Sequence, residues 1–188
     1  LKMCGIVGYI GPREVVPLLI DGLRRLEYRG YDSAGVAVVA DGGLETRRAE
    51  GKLDRLIERL REQPLSGSYG VAHTRWATHG KPTERNAHPV VDSKNRIAII
   101  HNGIIENFLV IKRRLLAEGW TFATDTDTEV IANLVSSYYA GDLAAAVKRA
   151  VGELEGMYAC ALIGTESTLG DDEEIVAVRQ GTPLVLGL

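Results

Sequence analysis

The chain has 188 residues, of which 45% are hydrophobic and 25% are charged, so it is long enough to bury a sizeable core as one domain. Its net charge is −3, so the chain lacks the excess of basic residues that binding to nucleic acid requires. Two cysteines make no disulfide framework, and no apolar run reaches the roughly 18 residues of a membrane helix, which favours a protein of the reducing cytoplasm.

Six runs of β-branched and aromatic residues predict strands, and five stretches with apolar residues at three- and four-residue spacing predict helices. Thr126 and Glu129 are spaced as a capping box for the helix that begins at 130, and Asp142 is the predicted N-cap of the last helix. The helices cluster between sets of strands, which predicts a layered α+β fold and not a parallel doubly wound sheet. In chain order the predicted elements are strand 6–10, helix 15–26, strand 36–39, helix 53–60, strands 69–72 and 97–100, helix 104–116, the helix from 130, helix 143–151, and strands 158–163 and 175–178.

Both ends of the chain carry expectations of their own. Residues 170–174 are predicted to form an acidic loop, and 183–186 form a last strand-like run that stops abruptly, so we expect the chain to be part of a longer protein. Leu1 and Lys2 precede Met3, and we expect Met3 to be the natural first residue. Excision of Met3 would then leave Cys4 with a free α-amine.

Cys4 is a candidate nucleophile, because a terminal cysteine carries a thiol and an amine side by side. Their reference pKa values are about 8.5 and about 7.7–8.0, so the amine can take the thiol proton and later return it to a leaving group. From Cys4 alone, a buried strand cysteine is the commoner alternative. Cys160 lies in the apolar run 158–163 and is predicted to belong to the core.

Three further positions have the chemistry that an amide-cleaving site needs. The side-chain amide of Asn102 and the backbone N–H of Gly103 can converge on one oxyanion, although an ordinary Asn-Gly turn is the alternative. Arg75 suits bidentate binding of a carboxylate, and Asp127 suits an ammonium group. A surface ion pair and a carboxylate at a helix N-terminus are the corresponding structural alternatives.

Other polar residues give weaker signals. Trp76, Thr78 and His79 could line a pocket or fill core and turn positions. The chain has no Cys-x-x-Cys or His-Glu-x-x-His pattern and no glycine-rich phosphate loop, so we predict neither a metal nor a cofactor. The four histidines that invite a metal site are His73, His79, His88 and His101.

Five segments in this order together resemble the class II glutamine amidotransferases, which are N-terminal-nucleophile hydrolases: residues 4–8, 26–35, 73–80, 101–107 and 126–129. The resemblance extends from Met3 to the end of the chain. Within the family, 27–31 and 75–80 are most similar to enzymes that aminate a sugar phosphate. The resemblance implies a four-layer αββα sandwich and a domain at 4–188 that is incomplete on its C-terminal side.

The resemblance also implies a role for each candidate residue. L-glutamine would be bound as a γ-glutamyl thioester of Cys4, with the α-amine of Cys4 as general base, and its amide nitrogen would leave as ammonia. The remaining implied roles are an oxyanion hole at Asn102 and Gly103, binding of the substrate α-carboxylate by Arg75 and of its α-ammonium by Asp127, a pocket lining of Trp76, Thr78 and His79, support of the Cys4 loop by Arg29, and a position near a domain contact for His88.

The similar enzymes pass ammonia through a channel to a sugar isomerase domain that binds fructose 6-phosphate, and this domain is absent from the 188 residues. The full-length enzyme would be a homo-oligomer. Two alternatives stay open: the glutaminase domain of a phosphoribosylpyrophosphate amidotransferase or an asparagine synthetase, and an inactive regulatory module of the same fold. Competent residues at every proposed catalytic position argue against the inactive module.

Overall fold

A computed structural model describes residues 4–40, 43–77, 80–165 and 174–187. Short 3-10 helices occupy Glu27–Arg29 and Glu84–Asn86. The strands and α-helices of the described residues are β1 (Gly5–Ile10), α1 (Val15–Leu26), β2 (Ser33–Ala40), β3 (Gly43–Glu50), α2 (Leu53–Glu62), β4 (Tyr69–Arg75), β5 (Val90–Val91), β6 (Ile97–Ile105), α3 (Phe108–Ala117), α4 (Thr128–Tyr138), α5 (Leu143–Val151), β7 (Gly156–Gly164) and β8 (Ile175–Gln180).

The strands form two antiparallel sheets of four strands each. The first sheet has the order β1-β4-β2-β3 and the second the order β5-β6-β7-β8. Helices α1 and α2 pack on the outer face of the first sheet, and α3, α4 and α5 cover the outer face of the second. The predicted α+β four-layer αββα sandwich is therefore confirmed.

Alternation of side chains along the strands separates the three layers of core. In β6, Ile97 and Ile99 face the helices of their own sheet, whereas Ala98 and Ile100 face the other sheet. There they meet Val71 of β4, which also points between the sheets. Because side chains alternate with a period of two, every second residue of β4 and β6 enters the space between the sheets.

Strand β4 lies in the middle of its sheet, and all seven of its residues are buried. It is paired with β1 on one side and with β2 on the other. The last three residues of this buried strand are polar: His73, Thr74 and Arg75. Burying polar side chains is costly unless they find partners, so this end of the strand marks a place with a specific role.

Two predicted boundaries are wrong because cross-strand pairing overrides the local pattern. Residues 104 and 105 were expected in a helix, but Ile104 and Ile105 continue β6 and pair with Met157 and Gly156. The helix α3 begins only at Phe108.

Two strands were not predicted at all. The residues of β3 are mainly polar and only two of them are buried, as suits an edge strand, so they show no strand pattern. The two-residue strand β5 gives too short a signal to recognise.

The predicted capping box is also wrong. The hydroxyl group of Thr126 makes a hydrogen bond with that of Thr124 at 2.8 Å. The Glu129 carboxylate accepts hydrogen bonds from the backbone N–H groups of Ala123 and Thr124 at 2.7 and 2.6 Å, so it holds the segment that precedes the helix. Asp127 is the N-cap of α4 by position. The other cap is confirmed, because the Asp142 side chain accepts from the backbone N–H of Ala145 at 2.8 Å.

The expected last strand at 183–186 does not form, and Val185 and Leu186 are 89% and 82% exposed. Most of the predicted acidic loop, residues 170–173, lies outside the described residues. Among the described residues, no helix combines the length and the apolar character that spanning a bilayer requires.

Candidate active site

Four distant parts of the chain meet at one end of the sandwich. Cys4 directly precedes β1, and Arg75 ends the neighbouring strand β4. Gly103 belongs to β6 of the other sheet, and Asp127 stands at the start of α4. A cavity of about 40 Å³ has all four residues in its wall, together with Trp76, His88, His101 and Thr128.

The thiol of Cys4 is held by the backbone of Trp76. The N–H of Trp76 donates to Sγ at 3.1 Å, and Sγ lies 3.7 Å from the carbonyl oxygen of the same residue. Burial raises the pKa of the Cys4 thiol, and this effect outweighs the Trp76 hydrogen bond and the positive charge of Arg75, which lower the pKa. At neutral pH the thiol is therefore protonated, and a base is needed to make it a nucleophile.

The side chain of Asn102 faces Cys4 from the opposite sheet. Its Nδ2 donates to the carbonyl oxygen of Cys4 at 3.2 Å, and its Oδ1 lies 2.7 Å from Nε2 of His73. Asn102 and Gly103 pair with Ala159 and Tyr158 in the middle of a β-ladder. The Asn-Gly pair is therefore a strand segment and not a turn.

Gly103 has a φ of +121°, and a Cβ atom on it would lie 2.1 Å from the backbone oxygen of Met157. Because neither this clash nor this φ suits an alanine, we expect Gly103→Ala to cost about 3 kcal/mol of folding free energy. In a thermal melt the midpoint should fall by roughly 6–12 °C. Gly119→Ala is the control, since Gly119 has a φ of +88° but open space around it. Equal shifts for the two variants would contradict the argument from the clash.

Arg75 and Asp127 bring opposite charges to the same cavity. Arg75 is 4% exposed, burial lowers its pKa, and the charges of Asp32, Cys4 and Asp127 act against that shift. A guanidinium stays protonated even so. Asp127 is 3% exposed and accepts the backbone N–H of Ile105 through Oδ2 at 3.0 Å, while its Oδ1 accepts no hydrogen bond from the described residues. Each residue can thus receive one charged end of an amino acid.

Not every predicted site residue joins this cluster. Thr78 and His79 lie outside the described residues. Within the described residues, Arg29 Nε donates a hydrogen bond to Tyr28 Oη at 3.2 Å. The Arg29 guanidinium also lies over the Tyr28 ring, 5.6 Å from its centroid. Support of the Cys4 loop by Arg29 stays a prediction. His88 is 4% exposed and lines the cavity. Its expected role at a domain contact also stays a prediction.

The structure adds residues that the sequence analysis did not single out for this site. Asp32 accepts the N–H of Ala77 at 2.7 Å, and its own N–H donates to the Arg75 carbonyl at 2.8 Å, so it anchors the strand end beside Cys4. Thr74 Oγ1 accepts the N–H of Gly5 at 3.1 Å. Asp32 and Thr74 lie in the segments 26–35 and 73–80, which carry the family resemblance, but their residue types alone do not predict these contacts.

A cluster of buried histidines adjoins the cavity: His88 and His101 line it, and His73 lies against His88. Thr128 Oγ1 lies 3.1 Å from His88 Nε2 and 2.9 Å from His101 Nδ1, and the rings of His73 and His88 are 4.4 Å apart. Burial lowers the pKa of both His73 and His88, so both rings are neutral at pH 7. In the described part of the chain, no three His, Cys, Asp or Glu side chains are grouped so that they could hold a metal ion.

Comparison with known families identifies the domain. A family model described as a glutamine amidotransferase domain matches residues 73–181, which is more than half of the chain. The chain belongs to this glutamine amidotransferase domain family. The residues matched include His73, Arg75, Asn102, Gly103 and Asp127, and they exclude Cys4.

Curated relatives of this amidotransferase domain are longer proteins. It is 52% identical over 186 residues to the glutamine–fructose-6-phosphate aminotransferases (isomerizing) of Symbiobacterium thermophilum and Thermus thermophilus. The protein of the same name from Clostridium tetani is 48% identical over 186 residues. Each alignment covers 99% of this chain, which spans only 30% of the length of these relatives.

Solved structures carry the same fold. The glutamine phosphoribosylpyrophosphate amidotransferase of B. subtilis superposes with a TM-score of 0.73 at 27% identity, over 85% of this chain and 35% of that one. An allosteric regulatory enzyme of purine biosynthesis gives a TM-score of 0.74, with the same identity and coverage. Both support the four-layer sandwich described above.

Proposed function

We propose that this domain hydrolyses L-glutamine to glutamate and ammonia through a thioester on Cys4. In the longer protein the ammonia would aminate fructose 6-phosphate, giving glucosamine 6-phosphate. The observation that carries the proposal is that the Cys4 thiol, the opposite charges of Arg75 and Asp127, and Gly103 line one small cavity, while Asn102 Nδ2 reaches the Cys4 backbone at 3.2 Å. These are the groups needed to hold an amino acid and cleave its side-chain amide.

In the proposed reaction, Cys4 Sγ attacks the side-chain carbonyl carbon of glutamine and forms a C–S bond. The carbonyl oxygen becomes an oxyanion, which the amide of Asn102 and the N–H of Gly103 stabilise. The tetrahedral intermediate then collapses, the C–N bond breaks, and ammonia leaves with a proton. Water attacks the resulting thioester, which releases glutamate and restores the thiol.

The α-amine of Cys4 would act as the base in each half of the reaction. It takes the thiol proton during attack and gives a proton to the departing ammonia, so one residue supplies nucleophile and base. Because burial raises the pKa of the thiol, the unassisted thiolate is scarce at neutral pH and the base matters more. The proposal therefore requires a chain in which Cys4 is the first residue.

Recognition of the substrate rests on Arg75 and Asp127. The guanidinium would bind the α-carboxylate, and the free Oδ1 of Asp127 would accept the α-ammonium. The cavity of about 40 Å³ has room for a few water molecules. Trp76, which lines this cavity, and the neighbouring Thr78 and His79 would line the glutamine pocket.

The choice of fructose 6-phosphate as acceptor rests on similarity. Identity is 48–52% to relatives named for fructose 6-phosphate and 27% to the structure named for phosphoribosylpyrophosphate. The acceptor would be bound by a part of the longer protein outside this chain. We further propose a cytoplasmic, homo-oligomeric full-length enzyme.

Two assays test the proposal. A chain beginning at Cys4 should release equal amounts of glutamate and ammonia from L-glutamine, and D-glutamine should release neither. The full-length protein given L-glutamine should convert fructose 6-phosphate to glucosamine 6-phosphate and leave phosphoribosylpyrophosphate unchanged. Consumption of phosphoribosylpyrophosphate would contradict the proposed acceptor but not the glutaminase function. Absence of ammonia in both assays would contradict the glutaminase function itself.

A further inference from the structure

The orientation of the Asn102 side chain decides whether it can stabilise an oxyanion. An asparagine amide has a donor at one end and an acceptor at the other, with almost the same shape. Its terminal torsion is broad, so the side chain alone does not choose between the two orientations. If Oδ1 pointed at the developing negative charge, it would repel that charge.

The contacts of Asn102 select one orientation. The backbone oxygen of Cys4 can only accept a hydrogen bond, so the atom that faces it at 3.2 Å is Nδ2. Oδ1 must then face His73, and a neutral His73 has to carry its proton on Nε2 to donate to Oδ1 at 2.7 Å. Nδ1 of His73 makes no hydrogen bond within the described residues, as expected for the bare nitrogen of that tautomer.

His73 is itself fixed in place. It pairs with Ile6 of β1 and Gly35 of β2 in the middle of the sheet, and it is 0% exposed. Its ring lies against His88, with the ring centroids 4.4 Å apart. Burial, opposed by the hydrogen bond to Asn102, lowers the pKa of His73 to about 3, so the ring is neutral throughout the pH range of an assay.

We propose that His73 is a positioning residue, which donates from Nε2 to Oδ1 of Asn102 and so turns the Nδ2 donor of that amide toward the oxyanion. The proposal rests on the glutaminase function proposed above. His73 contacts neither the thiol nor the substrate and acts through Asn102. Because an oxyanion hole works through donors that are oriented before the charge develops, loss of this hydrogen bond should slow the chemical step and leave glutamine binding nearly unchanged.

A pair of variants of similar length separates the donor from the volume of the ring. Both are made in the chain that begins at Cys4. Gln can reach Asn102 with an N–H group, whereas Met has no donor. We expect His73→Met to lower kcat by roughly 10²-fold with KM for glutamine within about twofold. His73→Gln should keep kcat at least about tenfold above that of His73→Met.

A double-mutant cycle gives the decisive readout. In an Asn102→Ala background there is no amide to orient, so His73→Met should lower kcat further by less than about threefold. Equal losses in both backgrounds, equal kcat for the Gln and Met variants, or a rise in KM alone would overturn the positioning role. If the Met variant does not fold in a thermal melt, His73→Leu, which also lacks a donor, takes its place in both backgrounds, and it must again lose less without Asn102. A wild-type chain that releases no ammonia would instead overturn the underlying function and this inference with it.

Discussion

Cys4→Ala is expected to lower the rate of glutamine hydrolysis by at least about 10⁴-fold, because no other residue of the site can form the thioester. The variant keeps a free α-amine when its chain begins at position 4. Ammonia release measures the loss, and intact mass after acid quenching should detect a γ-glutamyl adduct on the wild type alone.

Cys160→Ala is the matched control for this variant. Cys160 is 1% exposed, and burial raises the pKa of its thiol to about 12, so it cannot act as a nucleophile at neutral pH. Its replacement should leave the hydrolysis rate within about twofold, because surface-inaccessible core thiols act as small hydrophobic side chains. Equal rates for Cys4→Ala and the wild type would instead favour an inactive module or another nucleophile.

A single residue added ahead of Cys4 is expected to have the second largest effect. An alanine at this place converts the α-amine into an amide nitrogen, which has no basic lone pair, but it leaves the thiol present. We expect a loss of about 10²–10⁴-fold, the usual contribution of a positioned base. Ammonia release from the chain that begins at Cys4 and from the chain with the added alanine gives the comparison.

The pH dependence should separate these two chains independently of their absolute rates. In the free-amine chain the base must be neutral, so the rate should rise with pH and level off above the amine pKa, which is about 7.7–8.0 in model peptides. In the extended chain the rate depends on the thiolate itself. Since burial raises the pKa of the Cys4 thiol above its ordinary value, that rate should still be rising at pH 9. An extended chain with full activity and the same pH profile would rule out the free-amine mechanism.

The chemistry of single side chains made part of this site predictable from the sequence. A thiol near the chain start, an Asn-Gly pair, an arginine and an aspartate stood out by residue type, and the layered α+β fold followed from the order of elements. The structure brings Cys4, Arg75, Gly103 and Asp127 to one cavity, although the first and last are separated by more than 120 positions.

The remaining features depend on contacts between distant segments, which a local pattern does not encode. Glu129 has the spacing of a capping residue but binds the N–H groups of Ala123 and Thr124. Ile104 has helical spacing with Phe108, yet the ladder with β7 keeps it in a strand. His73 could be recognised as unusual for a buried strand, but its partner Asn102 lies 29 positions away on another sheet. Tertiary pairing decides each of these cases.

The division of the site between the two sheets has a consequence for folding. Cys4 directly precedes β1 and Arg75 ends β4, both of the first sheet, whereas Asn102 and Gly103 belong to the second, so neither half contains both the proposed nucleophile and the proposed oxyanion donors. Each sheet and its helices could form early and give the full signal of secondary structure without any enzyme activity. Contacts as distant as that between Cys4 and Asn102, 98 positions apart, are the slow part of folding. During refolding, glutaminase activity would therefore return only when the two sheets dock, and its rate of recovery would time that docking step.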